Sequence, residues 1–248
     1  MFSLGLVLSD AMPVYKISIL FSILKEFIQS GRIQCLESLR ELKPKKVVFI
    51  LIDSFGLKEF NYLTKNQKLF KAGREIILFN PFPSTKMAYK QIFFQGKESI
   101  FQYLSVSSKF FAVIDNRMEL SLIPNEDNII KVIRKNDKNA FSRAKELLQR
   151  SDLLWLHLMS LDHLYHSGIK SAHKFLLTFA QKLETFIQTF ESETLCLIFG
   201  DHGKHHLKST PHNKSPKEKR DFYRALNKMR YEATRTVLYP IFLGNRKS

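Results

Sequence analysis

The sequence has only two cysteines and no apolar run long enough to cross a membrane. Cys35 and Cys196 lie far apart and belong to no recognisable motif, so no disulfide framework is visible. The apolar stretches at 1–8 and 17–28 are short or interrupted by charges, and neither reaches the roughly 20 residues that span a bilayer. We therefore expect a protein of a reducing compartment, the cytoplasm, with no membrane span.

Acidic residues are outnumbered by basic ones, 23 against 39, which gives a net charge of +16. Part of the excess lies in residues 204–235, called the basic segment below. A charge of this sign favours polyanionic partners such as nucleic acid, acidic lipid surfaces or phosphorylated substrates. None of the usual nucleic-acid-binding motifs is present. The basic segment is therefore either a solvated loop and helix or a non-specific polyanion site.

Apolar runs alternate with helical patterns along the chain. Near-continuous apolar runs are typical of strands covered on both faces of a sheet. The predicted strands are 46–53, 75–79, 109–115, 152–158, 194–201 and 236–243. Apolar residues at helical spacing predict amphipathic helices over 17–28, 139–150 and 171–190. This alternation predicts an α/β fold, with a mostly parallel sheet sandwiched between helices.

The connections between these elements contain no long interdomain linker, and no internal repeat is visible. The candidate loops are 80–86, 122–128 and 208–216. We therefore expect a single α/β domain over 1–248. Within it, residues 1–45 form an N-terminal helical segment and residues 204–235 form a basic loop and helix.

Polar residues stand at the ends of three predicted strands. Asp53 ends the first strong strand, Asp201 ends the fifth, and Asp162 lies just past the fourth. Parallel strands joined by right-handed crossovers point the same way, so these aspartates can converge at one edge of the sheet. His166 comes four residues after Asp162, and His202 directly follows Asp201. Carboxylate with imidazole is metal-ligand chemistry, although Asp and Gly are also ordinary turn residues.

Three motifs occur in order, FILIDSFG at 49–56, DHLYHSG at 162–168 and FGDHG at 199–203. Together they resemble the metal-site motifs of the alkaline phosphatase superfamily, in particular of its type I phosphodiesterase and nucleotide pyrophosphatase branch. The resemblance covers residues 46 to 205 and implies an alkaline-phosphatase-like core. One departure is Ser54, which stands where the branch usually has glycine after the first aspartate.

The resemblance also implies a site for two divalent metal ions, with zinc as the expected metal and manganese as the alternative. The first ion would be held by Asp53, Asp201 and His202. The second would be held by Asp162, His166 and His212, with His205 and His206 as alternatives to His212. Two ions about 4 Å apart can clamp both the attacking and the leaving oxygens of a phosphoryl displacement.

The branch takes its nucleophile, a serine or threonine, from a loop after the second strand. This chain has FPSTKMAYKQIFFQG at 82–96, and Lys86 falls at the nucleophile position, directly after Thr85. A lysine amine is not an ordinary phosphoryl-accepting hydroxyl, so three outcomes stay open. Thr85 takes over, or water activated by a bound metal attacks directly. In the third, the site is inactive and Lys86 fills the place of a metal or binds phosphate.

The function implied by the resemblance is that of a metal-dependent phosphoesterase. It would hydrolyse a phosphodiester or pyrophosphate bond in a phosphorylated small molecule or nucleotide. The alternative is a catalytically degenerate member that binds a phosphorylated ligand, nucleic acid or a protein partner. The interval between Gly96 and the strand predicted at Lys109 is short, which implies a reduced cap over the site.

Overall fold

The computed structural model describes residues 14–39, 42–71, 75–80, 94–95, 98–99, 111–121, 123, 125, 127–169, 172–204 and 216–243. The strands in these ranges are β1 (Val14–Lys16), β2 (Lys46–Ile52), β3 (Ile76–Phe79), β4 (Phe94–Gln95), β5 (Glu98–Ser99), β6 (Phe111–Asp115), β7 (Ile129–Ile133), β8 (Leu153–Leu158), β9 (Thr194–Phe199) and β10 (Arg235–Leu243). The α-helices are α1 (Ile19–Ser30), α2 (Leu57–Asn66), α3 (Arg117–Leu120), α4 (Asp137–Leu148), α5 (Ser160–His166), α6 (His173–Ile187) and α7 (Pro216–Thr234).

Eight of these strands form one sheet in the order β1-β3-β10-β9-β2-β8-β6-β7, and β4 pairs with β5 separately. The five strands from β9 to β7 are parallel to one another. β10 is antiparallel to both β9 and β3, whereas β1 is parallel to β3. The predicted α/β fold with a mostly parallel sheet is therefore confirmed.

Both faces of the sheet are covered. Along β2, Phe49 belongs to a cluster shared with α1, while its neighbour Ile50 belongs to a cluster shared with α2, α4, α5 and α6. Burying a side chain of this size contributes about 1.5–3 kcal/mol relative to leaving it exposed. Because successive residues of β2 are buried on opposite faces, the strand is a continuous apolar run rather than an alternating one.

The predicted strands and helices are present, with ends that differ by at most three residues. The sequence does not predict β1, β7 or α2. β7 is an edge strand in which Ile129 is buried but Ile133 is half exposed, and Lys131 interrupts the apolar run. Its pattern is therefore weaker than that of the central strands.

The expectations about chain organisation remain predictions. The N-terminal segment 1–45 contains β1 and α1, and the basic segment contains α7. Most of the stretch expected to carry a reduced cap lies outside the described residues. In the described ranges, no helix combines the length and apolar character that crossing a membrane requires.

Candidate metal centre

The candidate site lies at the C-terminal edge of the parallel strands. Asp53 follows β2, Asp201 follows β9 after one glycine, and Asp162 lies on α5, which begins just after β8. Together with His202 these residues are at least nine-tenths buried. The strand directions therefore bring together the three aspartates that the sequence placed at strand ends.

The tightest group in the described part of the chain joins Asp53, Asp162 and His202. One ligand-type atom from each of the three lies within 4.8 Å of the others. His202 Nε2 lies 3.2 Å from Asp53 Oδ1 and 3.5 Å from Asp201 Oδ2. Two ligands bound to one tetrahedral zinc ion are about 3.4 Å apart, given bonds of about 2.0–2.1 Å. The donor types and their spacing therefore fit a divalent cation.

Asp162 and His166 form a second pair one helical turn apart on α5. His166 Nε2 lies 3.0 Å from Asp162 Oδ2, and the imidazole is half exposed. Asp162 thus contacts His166 and also belongs to the group with Asp53 and His202, although the resemblance assigned it to the second ion. The further ligand proposed for this pair, His212, lies outside the described residues, as do His205, His206, Thr85 and Lys86.

The charges of the buried groups favour ionised carboxylates. Burial raises the pKa of Asp53, but the hydrogen bonding and positive charge of His157 and His202 outweigh it and hold that pKa below its usual range. Burial lowers the pKa of His202, whereas the carboxylates of Asp201 and Asp53 raise it to about 10. Carboxylates must be ionised to bind a cation. The site therefore keeps Asp53 in the form that a cation needs, whereas His202 must lose a proton before its Nε2 can bind one.

Ser54 lies between the two groups of candidate ligands. Its backbone has φ of 63°, in the left-handed region that glycine adopts freely and that costs other residues roughly 1–2 kcal/mol. Its Oγ donates a hydrogen bond of 2.6 Å to Asp162 Oδ1 and lies 3.4 Å from His202 Nδ1. Ser54 thus adopts a left-handed backbone conformation and places a hydroxyl inside the site.

The loops that carry the aspartates pack backbone against backbone. A Cβ atom at Gly200 would lie 1.9 Å from the Phe55 carbonyl oxygen, and one at Gly203 would lie 2.2 Å from the Glu232 carbonyl oxygen. Asn80 Nδ2 donates a hydrogen bond of 2.8 Å to the Asp201 carbonyl oxygen. Only glycine fits at the two close approaches, and these contacts hold the strand ends in fixed positions.

Two buried residues beside Asp53 are not among the site residues predicted from the sequence. Asp115 ends β6, and its Oδ1 accepts a hydrogen bond of 2.7 Å from His157 Nδ1 on β8. His157 Nε2 in turn lies 3.6 Å from Asp53 Oδ2. Burial lowers the pKa of His157, but Asp115 and Asp53 raise it well above its usual value. Two features of the sequence could have indicated them. Asp115 ends a predicted strand, as Asp53 does, and His157 lies inside an apolar run.

Comparison with known proteins shows similar folds. No protein-family model matches the chain, and no curated protein matches it in sequence. The structure of the PH0037 protein from Pyrococcus horikoshii superposes with a TM-score of 0.55 at 13% identity, covering 83% of this chain and 87% of that chain. At such an identity the likeness concerns the fold.

Two further solved structures are similar at lower TM-scores. A protein in the alkaline phosphatase superfamily from Vibrio parahaemolyticus has a TM-score of 0.48 at 12% identity, covering 92% of this chain and 69% of that chain. Phosphonoacetate hydrolase from Sinorhizobium meliloti, in complex with phosphonoformate, has a TM-score of 0.47 at 11% identity, covering 81% and 82%. The structural neighbours thus include alkaline phosphatase superfamily members.

Proposed function

We propose that this protein is a metal-dependent phosphoesterase that hydrolyses a phosphodiester or pyrophosphate bond, as in the type I phosphodiesterase and nucleotide pyrophosphatase branch. The observation that carries the proposal is the convergence of Asp53, Asp162 and His202, each from a different motif, at one edge of the sheet. A phosphoryl group in transfer carries negative charge, and catalysis consists largely of positioning it against fixed positive charge.

The proposed ligands of the first ion are Asp53, Asp201 and His202, and those of the second are Asp162, His166 and His212. Divalent zinc, or manganese in its place, would supply the positive charge against the phosphate oxygens. The chain itself orients His202. Its Nδ1 lies 2.9 Å from the Gly203 carbonyl oxygen, which can only accept, so Nδ1 donates and Nε2 faces Asp53 and Asp201.

The roles of Thr85 and Lys86 rest on the sequence. We propose that the Thr85 hydroxyl is the nucleophile and that Lys86 is a point charge on the substrate phosphate. The substrate would be a phosphorylated small molecule or a nucleotide. The cytoplasmic location expected from the sequence stays a prediction.

Metal analysis with a matched variant tests the proposal. Protein reconstituted with zinc or manganese should hold more than one equivalent and should hydrolyse a generic aryl phosphodiester. Asp201→Ala should lower the stoichiometry, whereas Asp221→Ala, which removes an exposed carboxylate on α7, should leave it unchanged. A stoichiometry near zero in the wild type, or one that Asp201→Ala does not alter, contradicts the proposed centre.

The alternative function is binding without turnover, and it is favoured by Lys86 at the nucleophile position. A degenerate member would still bind metal and a phosphorylated ligand, nucleic acid or a protein partner. It would show no hydrolysis of the aryl phosphodiester at saturating metal. The same two measurements on the wild type therefore separate the two functions.

Non-specific polyanion binding by the basic segment is a further proposal, supported by a groove between α2 and the end of α7. The groove has a volume of about 570 Å³. The residues of the groove that carry cations are Lys58, Lys65, Lys228 and Arg235, and its rings are Tyr62, His173 and Tyr231. Tyr231 is half exposed, and Tyr62 stacks on His173 with ring centroids 3.9 Å apart. Arg235 lies over the Tyr231 ring at 3.7 Å, and Lys58 is 3.6 Å from the carboxylate of Glu232, which also lines the groove. Cations beside aromatic rings suit single-stranded nucleic acid.

A further inference from the structure

Asp53, His157 and Asp115 lie side by side on three neighbouring strands. β8 runs between β2 and β6, and His157 pairs in register with Leu51, two residues before Asp53. Asp115 ends β6 on the other side of β8. All three side chains are fully or almost fully buried. The three residues therefore form a row across the C-terminal edge of the sheet.

Asp115 fixes the orientation of the His157 ring. Its Oδ1 accepts a hydrogen bond of 2.7 Å from the Asn116 backbone N–H, and its Oδ2 accepts one of 3.1 Å from Trp155 Nε1. Because each carboxylate oxygen of Asp115 accepts one of these two hydrogen bonds, the carboxylate is held in one orientation. The contact of 2.7 Å with His157 Nδ1 then directs the opposite ring nitrogen, Nε2, towards Asp53.

The two oxygens of Asp53 face two different histidines. Oδ1 lies 3.2 Å from His202 Nε2, whereas Oδ2 lies 3.6 Å from His157 Nε2. Rotation of the carboxylate would break both relationships. His157 therefore occupies one side of Asp53 and leaves Oδ1 directed towards the remaining candidate ligands.

We propose that Asp115 and His157 are positioning residues that hold Asp53 in the orientation needed to bind the first metal ion. The inference rests on the proposed function, because Asp53 must be a ligand. The contact of 3.6 Å between His157 Nε2 and Asp53 Oδ2 is longer than a hydrogen bond and acts through charge and packing. Partners behind metal ligands set their orientation, and their loss typically lowers metal affinity about 10- to 100-fold.

Two substitutions of His157 separate its two contacts. His157→Asn places an amide donor near the position of Nδ1, so it can keep the contact with Asp115 but does not reach Asp53. His157→Gln places its donor near the position of Nε2 and can keep the contact with Asp53. Ser151→Ala is the matched control, because it removes a buried hydrogen bond to the Leu147 carbonyl oxygen just before β8, at the opposite edge of the sheet from Asp53.

Zinc affinity of the full chain, measured by competition with a chelator, is the readout. We expect His157→Asn to weaken binding of the first ion about 10- to 100-fold. His157→Gln should retain most of the affinity, and Ser151→Ala should retain all of it while lowering the melting temperature. Folding of each metal-free variant is checked by near-ultraviolet circular dichroism.

The outcomes distinguish this inference from the function on which it rests. If the wild type binds no metal, both are wrong. If the wild type binds metal and folded His157→Asn binds it equally well, only the positioning role is wrong. Should His157→Asn fail to fold, Asp115→Asn takes its place, and wild-type affinity in folded Asp115→Asn overturns the role.

Discussion

Ser54 donates a hydrogen bond of 2.6 Å to Asp162, so the first motif of the candidate site is joined directly to the second. The two residues are 108 positions apart, and both are buried. The bond comes from a residue in the left-handed backbone region, where strain often accompanies a functional constraint. A side chain is thus kept at a position that favours glycine, and its hydroxyl contacts a candidate ligand.

Substitutions at Ser54 should separate the effect of its strained backbone from the effect of its hydrogen bond to Asp162. Ser54→Gly relieves the strained backbone and Ser54→Ala does not, so Ser54→Ala should be less stable than Ser54→Gly by about 1 kcal/mol in urea unfolding. Both variants lose the bond to Asp162 and should bind the second ion more weakly. Equal stability of the two variants would show that the turn is unstrained, and unchanged metal binding would show that the hydroxyl is dispensable.

The nucleophile is tested by measuring the hydrolysis rate of Thr85→Ala, Lys86→Ala and Lys86→Thr at saturating metal. If Thr85 attacks the phosphorus, Thr85→Ala should remove nearly all turnover, whereas Lys86→Ala should weaken substrate binding or slow the reaction only in part. Activity that survives Thr85→Ala points to direct attack by water. If the wild type is inactive, activity gained in Lys86→Thr identifies a site inactivated at that one position.

Glu59 should make stability depend on pH. Burial raises its pKa above the usual 4.5, and its carboxyl group contacts the Gly56 N–H and the Tyr165 hydroxyl. A carboxyl group with a raised folded-state pKa contributes stability that is fully present below pH 4.5 and is lost as the pH rises through the folded-state pKa. Glu59→Gln stays neutral, so its free energy of unfolding relative to wild type should increase from pH 4 towards neutrality.

The control for Glu59 is Glu146→Gln, which changes an exposed glutamate on α4. Its difference from wild type should not follow the same rise with pH in urea unfolding. A constant difference between Glu59→Gln and wild type across this range would contradict the raised pKa.

Gly200→Ala should destabilise the fold strongly. The added Cβ would meet the Phe55 carbonyl oxygen at 1.9 Å, and backbone atoms cannot move aside without displacing Asp53 or Asp201. We expect a loss of about 3 kcal/mol in the free energy of unfolding, the upper end of the usual cost of overpacking. Gly31→Ala is the control, because Gly31 has φ of 65° with open space around it, so strain alone should cost about 1–2 kcal/mol. Equal losses would contradict the close approach.

The groove between α2 and α7 should bind single-stranded oligonucleotides in a salt-dependent way. Lys65→Ala combined with Lys228→Ala should weaken binding and reduce the slope of log affinity against log salt by about 0.7 for each lost phosphate contact. Lys138→Ala combined with Lys145→Ala removes the same charge from α4 and should have less effect. Equal effects of the two pairs would indicate a diffuse attraction, and binding that does not depend on salt would exclude the polyanion site.

The central strands could be predicted because burial on both faces leaves a continuous apolar run in the sequence. β7 could not, since as an edge strand it exposes Ile133 and carries Lys131. The antiparallel direction of β10 has no local signal either, because an apolar run such as 236–243 fits both directions. Direction depends on the connection that precedes the strand, which the pattern of a single strand does not contain.

The candidate ligands could be predicted because each follows a strand within a short motif. Asp115 and His157 could not, because their roles arise from the order β2-β8-β6, which joins strands distant in the sequence. The same holds for Ser54, where the sequence shows a departure from glycine but not the bond to Asp162. Sequence motifs thus pointed to the candidate ligands, whereas the residues next to them depend on strand order.

The position of β10 determines when this fold can be completed during synthesis. β10 lies between β3 and β9, so the facing edges of these two strands cannot form their hydrogen bonds until residues 235–243 have been synthesised. The N–H of Gly203 donates a hydrogen bond to the carbonyl oxygen of Ala233, just before β10, so the loop after Asp201 also forms its contacts only after this part of the chain has been synthesised. A chain emerging from the ribosome would therefore expose two unpaired strand edges until residues 235–243 have emerged as well, and unpaired edges are sites where aggregation competes with folding.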